Sequence, residues 1–564
     1  MNMQPLMDLG EVFLISSLVL IFIHFIASLF SKIRVGKIAL IGSTIFISLA
    51  LLTLTYYFII RDFNVLYVYR YSDLDLPLLY TISAVWAGRE GSLLLWLFFI
   101  CIMNLVSWYL TKDRIATIIT SFFYLILLIY LILFSNPFIR LPFTPPHGLG
   151  LSPLLRTVEM VIHPPMIFLA YSSLLISFSI ALSYVYRGKD WIKGVRPWLL
   201  LTWIFLTIGI YIGMIWAYKV LGWGGFWAWD PVENSSLLIW LAITALLHGM
   251  IVERRSGALK SFNYTLLILS FNMMMFAAFI TRGGMITSVH AFIENDAGVI
   301  YLFLAFIFTG LALMLKRKQR VIKIKKYYNN LTFKDNLLLT TVILFLILTF
   351  AVFLGTLAAV HFNVKREYYE MILLPILSVL IILYSLYWFK KWSLILAIFI
   401  GVLVFALTKA LIISIITAIV VFALAGQRNF IHLAILLLFV GLIGAWIYGE
   451  CYQINLDVGE SKVVDSLMIK LLNVDIINNE TLVAEVLVNY HGDEYIMYPM
   501  IEFYKRPQSL IPVVDIISTP LRDIYVAIIG IHPLYFEIHV IPLMALVWIG
   551  MSLLVLGGIL RFKF

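Results

Sequence analysis

Cysteine is nearly missing from this 564-residue sequence: Cys101 and Cys451 stand far apart and form no Cys-x-x-Cys pair. That excludes a dithiol oxidoreductase and a zinc ribbon. No Cys-x-x-Cys-His stretch occurs either, so the chain does not itself carry covalently attached heme. Charge is also scarce, at 12% of residues against 63% hydrophobic, with a mean hydropathy of +1.01. No soluble globular domain hides that much apolar surface. Catalytic triads, carboxylate dyads and phosphate-binding loops are absent, so no side chain is assigned a catalytic role. Histidine is limited to ten residues, which makes the position of each informative.

What is abundant is the long apolar run. Stretches of about 20 apolar residues read as membrane helices. They are continuous rather than alternating, which favours helices over barrel strands. About fifteen spans are predicted, near 11–31, 36–60, 92–111, 115–134, 160–186, 197–218, 235–252, 262–281, 298–316, 336–360, 370–389, 393–408, 410–426, 429–449 and 540–560. Met1–Gly10 has neither a basic stretch nor a small-residue cleavage site, so the first span is expected to be a signal anchor. The net charge of +10 does not indicate nucleic acid, because the basic residues lie in short loops between spans. Clusters at Ser31–Lys37, Thr111–Arg114, Arg187–Arg196, Glu253–Lys260, Lys316–Lys326, Lys390–Lys391, Gln427–Arg428 and Arg561–Phe564 fall on one side. By the positive-inside rule the N-terminus is outside and the C-terminus inside. The dense run Lys316–Lys326 reads as an orientation signal and a contact for anionic lipid. The predicted fold is therefore an all-α polytopic membrane protein with one addition. Residues 450–538 form the one sizeable soluble segment, and 482–504 read as a hairpin around His491–Glu494, so a small β-rich domain is expected on the outer face. Residues 1–449 hold the first fourteen spans, and 539–564 the last span with its inside tail.

The outer loop 222–234 reads Gly-Trp-Gly-Gly-Phe-Trp-Ala-Trp-Asp-Pro-Val-Glu-Asn. Interfacial Trp belts are ordinary, but belts do not need glycines among the rings. Glycine permits close backbone approach, and several flat aromatic faces suit a large flat apolar ligand. Asp230, Pro231 and Glu233 match the N-cap, first and third positions of a helix, so both carboxylates read as capping groups rather than acid–base groups. His163 and His290 lie on the same side of the membrane as this loop and could ligate a heme iron from its two faces. His24, His248 and His432 lie deeper in spans, at comparable depths, where ionisable groups mark function. Depth alone leaves all three open as ligands of a buried heme. Arg89, Arg156 and Arg282 could pair with propionates or anchor the interface.

The run Trp223–Asn234 resembles the WD domain of the heme-handling membrane proteins that include the CcmC, CcmF and CcsA types, and the chain is most similar to the CcmF type. Leu76–Trp96, Ile162–Tyr171, Arg282–Phe292 and Glu502–Ala527 are similar to further elements of that type. The resemblance implies a heme lyase subunit of cytochrome c biogenesis in the cell membrane. Such a protein receives heme from the chaperone CcmE and promotes its attachment to apocytochrome c presented by a CcmH/CcmI-type partner. It implies heme contacts from Trp223, Gly224, Gly225, Phe226, Trp227, Trp229, Asp230 and Arg282, with His163 and His290 as axial ligands of a transient outer heme. It also implies a buried heme b between His248 and His432, rather than His24, passing electrons to the outer heme, with quinol as a source. The alternative is a heme delivery or export protein without ligation activity. An ion-translocating subunit is disfavoured because no series of carboxylates crosses the spans.

Overall fold

A computed structural model describes residues 7–284, 298–319, 331–362, 364–388, 394–395, 397–400, 402–403, 418–424, 429–478, 480–531 and 533–562. Among the described residues, thirteen helices are long and apolar enough to cross a membrane. They are α1 (Leu9–Leu29), α2 (Ile33–Ile59), α5 (Arg89–Thr111), α6 (Arg114–Phe134), α7 (Val158–Tyr186), α8 (Ile192–Val220), α9 (Pro231–Ser256), α10 (Lys260–Arg282), α11 (Val299–Gln319), α12 (Phe333–Ala358), α13 (Arg366–Tyr387), α14 (Phe430–Ile447) and α15 (Met544–Arg561). Two short helices, α3 (Leu66–Tyr71) and α4 (Leu78–Ser83), lie between α2 and α5. Each spanning helix coincides with one predicted span, and about half of the residues of the two predicted spans at 393–408 and 410–426 lie outside the described residues. The chain is a multi-pass membrane protein. Helix starts carry side-chain caps that satisfy otherwise orphaned backbone donors: Asp8 for α1, Asp113 for α6 and Thr332 for α12.

The chain divides into two units. The first is built mainly from Met1–Ile210 and Trp229–Val364, and the second from Tyr211–Ala228 and Lys365–Arg561. In the first unit α7 is buried along most of its length, and its serines explain how. Ser173 meets Thr202 of α8 at 2.9 Å, Thr120 of α6 donates to Ser179 at 2.9 Å, and Ser183 donates to Asp113 at 2.7 Å. Small hydroxylated residues let membrane helices approach closely while hydrogen-bonding across the gap. Aromatic packing fills the rest, with Phe178 of α7 stacked on Phe271 of α10 at 4.2 Å.

In the second unit α14 and α15 cross closely: a Cβ at Gly441 would meet Val547, and one at Gly550 would meet Leu438. Between these helices lie ten strands: β1 (Glu450–Leu456), β2 (Ser461–Val464), β3 (Leu467–Ile477), β4 (Thr481–Tyr490), β5 (Asp493–Met497), β6 (Met500–Lys505), β7 (Gln508–Val513), β8 (Asp515–Ser518), β9 (Arg522–Ile531) and β10 (Leu534–Pro542). They form two antiparallel sheets, ordered β1-β10-β9-β8 and β2-β3-β4-β6-β7, with β5 also paired to β4. Alternate residues such as Ile454, Leu467, Ile469, Val486, Val488, Phe536 and Ile538 make their common core. The β4–β5 hairpin turns at His491 and Gly492, both at positive φ (53° and 94°), as a two-residue hairpin turn requires. Residues 539–542, assigned from sequence to the last span, complete β10 instead: Val540 pairs with Glu450 and Ile541 with Asp523. Their apolar composition had merged them with the helix that follows.

Candidate functional site

The tryptophan-bearing loop leaves the end of α8 within the second unit. There the Tyr218 hydroxyl donates to the Asp523 carboxylate of β9 at 2.9 Å, and its ring lies 5.6 Å from Tyr525 and 5.5 Å from Trp548. Burial holds the Asp523 carboxyl and the Tyr525 phenol above their usual ranges. Gly222 and Gly224 have φ of +75° and +69°. A Cβ at Gly222 would press on Pro512 of β7, and one at Gly224 would overlap the His539 ring of β10. Gly225 makes room for the loop's own Trp223 indole. Gly222 and Gly224 thus seat the loop on β7 and β10. Phe226 is buried, stacked on Trp446 at 6.0 Å and 10° and edge-on to Trp548 at 6.3 Å, so this ring anchors the loop. Trp223 and Trp227 remain half-buried.

From Trp229 onward the loop belongs to the first unit. Trp229 is buried at φ +58°, a conformation that bulky L-residues rarely adopt. Its carbonyl accepts from Asn234 Nδ2 at 2.9 Å, and Asn234 is fully buried. Asp230 caps α9 by accepting from the Val232 amide at 3.0 Å, while Glu233 accepts from the Asp230 amide at 3.3 Å. Both carboxylates therefore act as the reciprocal cap that their spacing suggested.

The histidines separate by hydrogen bonding. His163, in the second turn of α7, is half-buried, and its Nδ1 lies 2.7 Å from the Gly209 carbonyl. A carbonyl can only accept, so Nδ1 bears the proton and the neutral ring's lone pair sits on Nε2. His248 of α9 is arranged alike, with Nδ1 2.8 Å from the Thr244 carbonyl. His24 is 1% exposed, and both its nitrogens are engaged, with Gly36 O at 2.7 Å and Thr117 Oγ1 at 3.1 Å. In the second unit, His432 stacks on Tyr384 at 4.4 Å, and its Nδ1 accepts from Asn429 Nδ2 at 2.8 Å. The amide is oriented by its oxygen, which caps the Ile431 N–H. His290 lies outside the described residues. Arg282 ends α10 at 2% exposure, donates to Ser92 at 3.0 Å, and rests within 5.8 Å of the Trp96, Phe168 and Tyr301 ring centres. Its guanidinium thus lies against three aromatic rings. Arg156 donates to the Leu151 carbonyl at 3.1 Å, and Arg89 lies 3.8 Å from Glu90.

The family described as Cytochrome C assembly protein matches residues 86–286, which include the tryptophan loop, His163, His248 and Arg282. Cytochrome c-type biogenesis protein ccl1 of Rhodobacter capsulatus is 35% identical over 427 residues, covering 71% of this chain and 63% of the relative. CcmF of Haemophilus influenzae is 36% identical over 323 residues, covering 55% and 50%, and CcmF of Escherichia coli 35% over 321, covering 55% and 49%. The matched part of the chain thus spans about half to just under two thirds of these relatives. The solved structure of Cytochrome c Heme Lyase CcmF superposes with a TM-score of 0.81 over 99% of both chains at 19% identity, which shows a shared fold. In sequence and in fold the chain is similar to the CcmF type of cytochrome c assembly protein. Sequence reading missed two features of this chain. One is the Tyr218–Asp523 contact, and the other is the group of Cys451, Glu537 and His539 beside Gly224. Neither has a motif, because strand pairing and loop seating bring the residues together from distant positions.

Proposed function

We propose that the chain is the heme lyase subunit of a cytochrome c maturation system, placed in the cytoplasmic membrane with its tryptophan loop and β-strands outward. Heme is its substrate there, received from a CcmE-type chaperone and held near Trp223, Trp227, Trp229 and Arg282, with His163 and His290 as axial ligands. A CcmH/CcmI-type partner presents the apocytochrome. Each cysteine thiol of its CxxCH motif adds across one heme vinyl group: a carbon–sulfur bond forms, and the thiol hydrogen ends on the neighbouring carbon. This chain's contribution is orientation, since the reacting groups belong to substrate and apocytochrome.

His248 and His432 are proposed to hold a resident heme b. That group supplies one-electron reduction, with quinol as a source of electrons. The observation that carries the reading is the fixed tautomer of His163 and His248. In each, a main-chain carbonyl holds the Nδ1 proton and directs the lone pair to Nε2, the second-shell arrangement of metal-ligating histidines. His24 differs from His248 in that its second nitrogen meets the Thr117 hydroxyl at 3.1 Å. At His432, ligation through Nε2 requires the ring proton to shift to Nδ1 and the Asn429 amide to turn.

Two measurements test this. Reduced and oxidised absorption spectra of the detergent-purified protein should show a bis-histidine b-type heme that is lost in His248→Ala and His432→Ala. Expression in a strain lacking only the lyase should restore attached heme on cytochrome c. A heme-free wild type from heme-replete cells would remove the resident cofactor. Exported heme with apocytochrome left unmodified would favour delivery without ligation.

A further inference from the structure

Cys451, Glu537 and His539 share one face of the β1-β10-β9-β8 sheet. Cys451 and His539 are directly paired across β1 and β10, and Glu537 stands two residues before His539. The two-residue period of a strand therefore puts all three side chains on the same side. Tyr452, Ile454, Ile538 and Val540 point the other way, into the core. His539 Nε2 lies 3.9 Å from Cys451 Sγ and 2.6 Å from Glu537 Oε1, and the three donor atoms fall within 4.8 Å of one another. Gln453, paired opposite Glu537, donates to its other carboxylate oxygen at 3.0 Å and so orients the carboxylate. The imidazole is braced by Gly224 on one side and by the Tyr525 ring, 5.6 Å away and nearly perpendicular, on another.

We propose that Cys451, Glu537 and His539 form a three-donor site for a divalent cation of the zinc class. One sulfur, one nitrogen and one oxygen suit a borderline-soft ion, whereas calcium and magnesium take oxygen sets. Tetrahedral zinc with bonds of about 2.0–2.3 Å needs donor separations of roughly 3.3–3.6 Å. The observed pair distances bracket that range, and side-chain rotation can close one gap and open the other. Three protein ligands leave a fourth position for water or an incoming group. A thiol gives up its proton when it binds such a cation, so binding is expected to release one.

The test uses the full-length protein, stripped of metal by a chelator and then titrated with zinc. Alkylation of Cys451, read by peptide mass spectrometry apart from buried Cys101, should slow about tenfold when free zinc exceeds its dissociation constant tenfold and recover on adding chelator. Zinc-edge X-ray absorption should show one sulfur at about 2.3 Å with nitrogen or oxygen neighbours. His539→Gln and Glu537→Gln should each weaken retention. Alkylation indifferent to zinc, or a zinc spectrum without sulfur, would overturn the assignment and leave a Glu537–His539 hydrogen bond beside an idle thiol. The wild-type alkylation result stands even if a variant fails to fold.

Discussion

Replacing Gly224 with alanine measures how the tryptophan-bearing loop is held on the β-strands. Two penalties apply. The φ of +69° costs an L-residue roughly 1–2 kcal/mol, and overlap with the His539 ring adds an overpacking cost of about 1–3 kcal/mol. Gly459 separates them, since its φ is +87° with nothing within 4 Å of an added Cβ. Gly459→Ala carries only the backbone penalty, and carries it elsewhere. Hydrogen exchange followed by mass spectrometry over the end of α8 and the loop is the assay. A loss of about 2 kcal/mol or more in local stability should speed exchange there by at least about thirtyfold in Gly224→Ala, while Gly459→Ala leaves that peptide unchanged. Adding His539→Ala should restore the overlap part, a coupling of about 1–3 kcal/mol in a double-mutant cycle. Wild-type exchange in Gly224→Ala, or no rescue by His539→Ala, would refute the seating of the loop on this imidazole.

Phe226→Ala removes the ring stacked on Trp446 and should cost about 3–5 kcal/mol in the same loop peptide, with faster exchange as the readout; unchanged exchange would mean the ring is no anchor. Asn234→Ala leaves the buried Trp229 carbonyl without its amide donor, a loss of about 1–3 kcal/mol. It should lower the thermal midpoint in detergent, and an unchanged midpoint counts against the contact. Asn429→Asp keeps the cap on α14 but turns a donor into an acceptor facing His432 Nδ1. The ring proton should then settle on Nδ1, and the reduction potential of a heme ligated through Nε2 should fall; a rise would contradict the tautomer argument. In metal-free protein the raised Cys451 thiol ionises later than a free cysteine, so its alkylation should rise with pH at more alkaline values. Glu537→Gln should move the profile back toward lower pH, and coincident profiles would exclude the carboxylate's influence.

Much of this fold was legible before any coordinates, because a membrane helix is written locally. Its length and apolarity follow from bilayer thickness, so thirteen spans could be placed from runs such as Leu9–Leu29 without knowing their neighbours. The Asp230-Pro231-Val232-Glu233 cap was legible for the same reason: its hydrogen bonds close within four residues. The β4–β5 hairpin announced itself through the turn expected at His491–Glu494, of which Asp493 and Glu494 already pair in β5. What stayed hidden was non-local. That Gly222 lies against Pro512 and Gly224 against His539 has no signal in the loop's own sequence. Val540 and Ile541 looked like membrane residues because a buried strand and a helix share apolar composition, and periodicity over four residues cannot separate them. Depth along a span could not rank His24, His248 and His432, because the distinction lies in which atoms face each ring nitrogen.

The paired hydrogen bonds of His24 carry a consequence for fidelity. A membrane through which free iron porphyrin passes exposes every imidazole in it to capture, and a misloaded porphyrin would be a trapped one. With Gly36 and Thr117 occupying its two nitrogens, His24 is chemically closed to iron unless a buried hydrogen bond is broken first. Unmasking it, as Thr117→Val would begin to do, would leave a second imidazole nitrogen open to a metal. The arrangement of ordinary helix neighbours thus sets where a metal is refused as firmly as ligands set where it is taken.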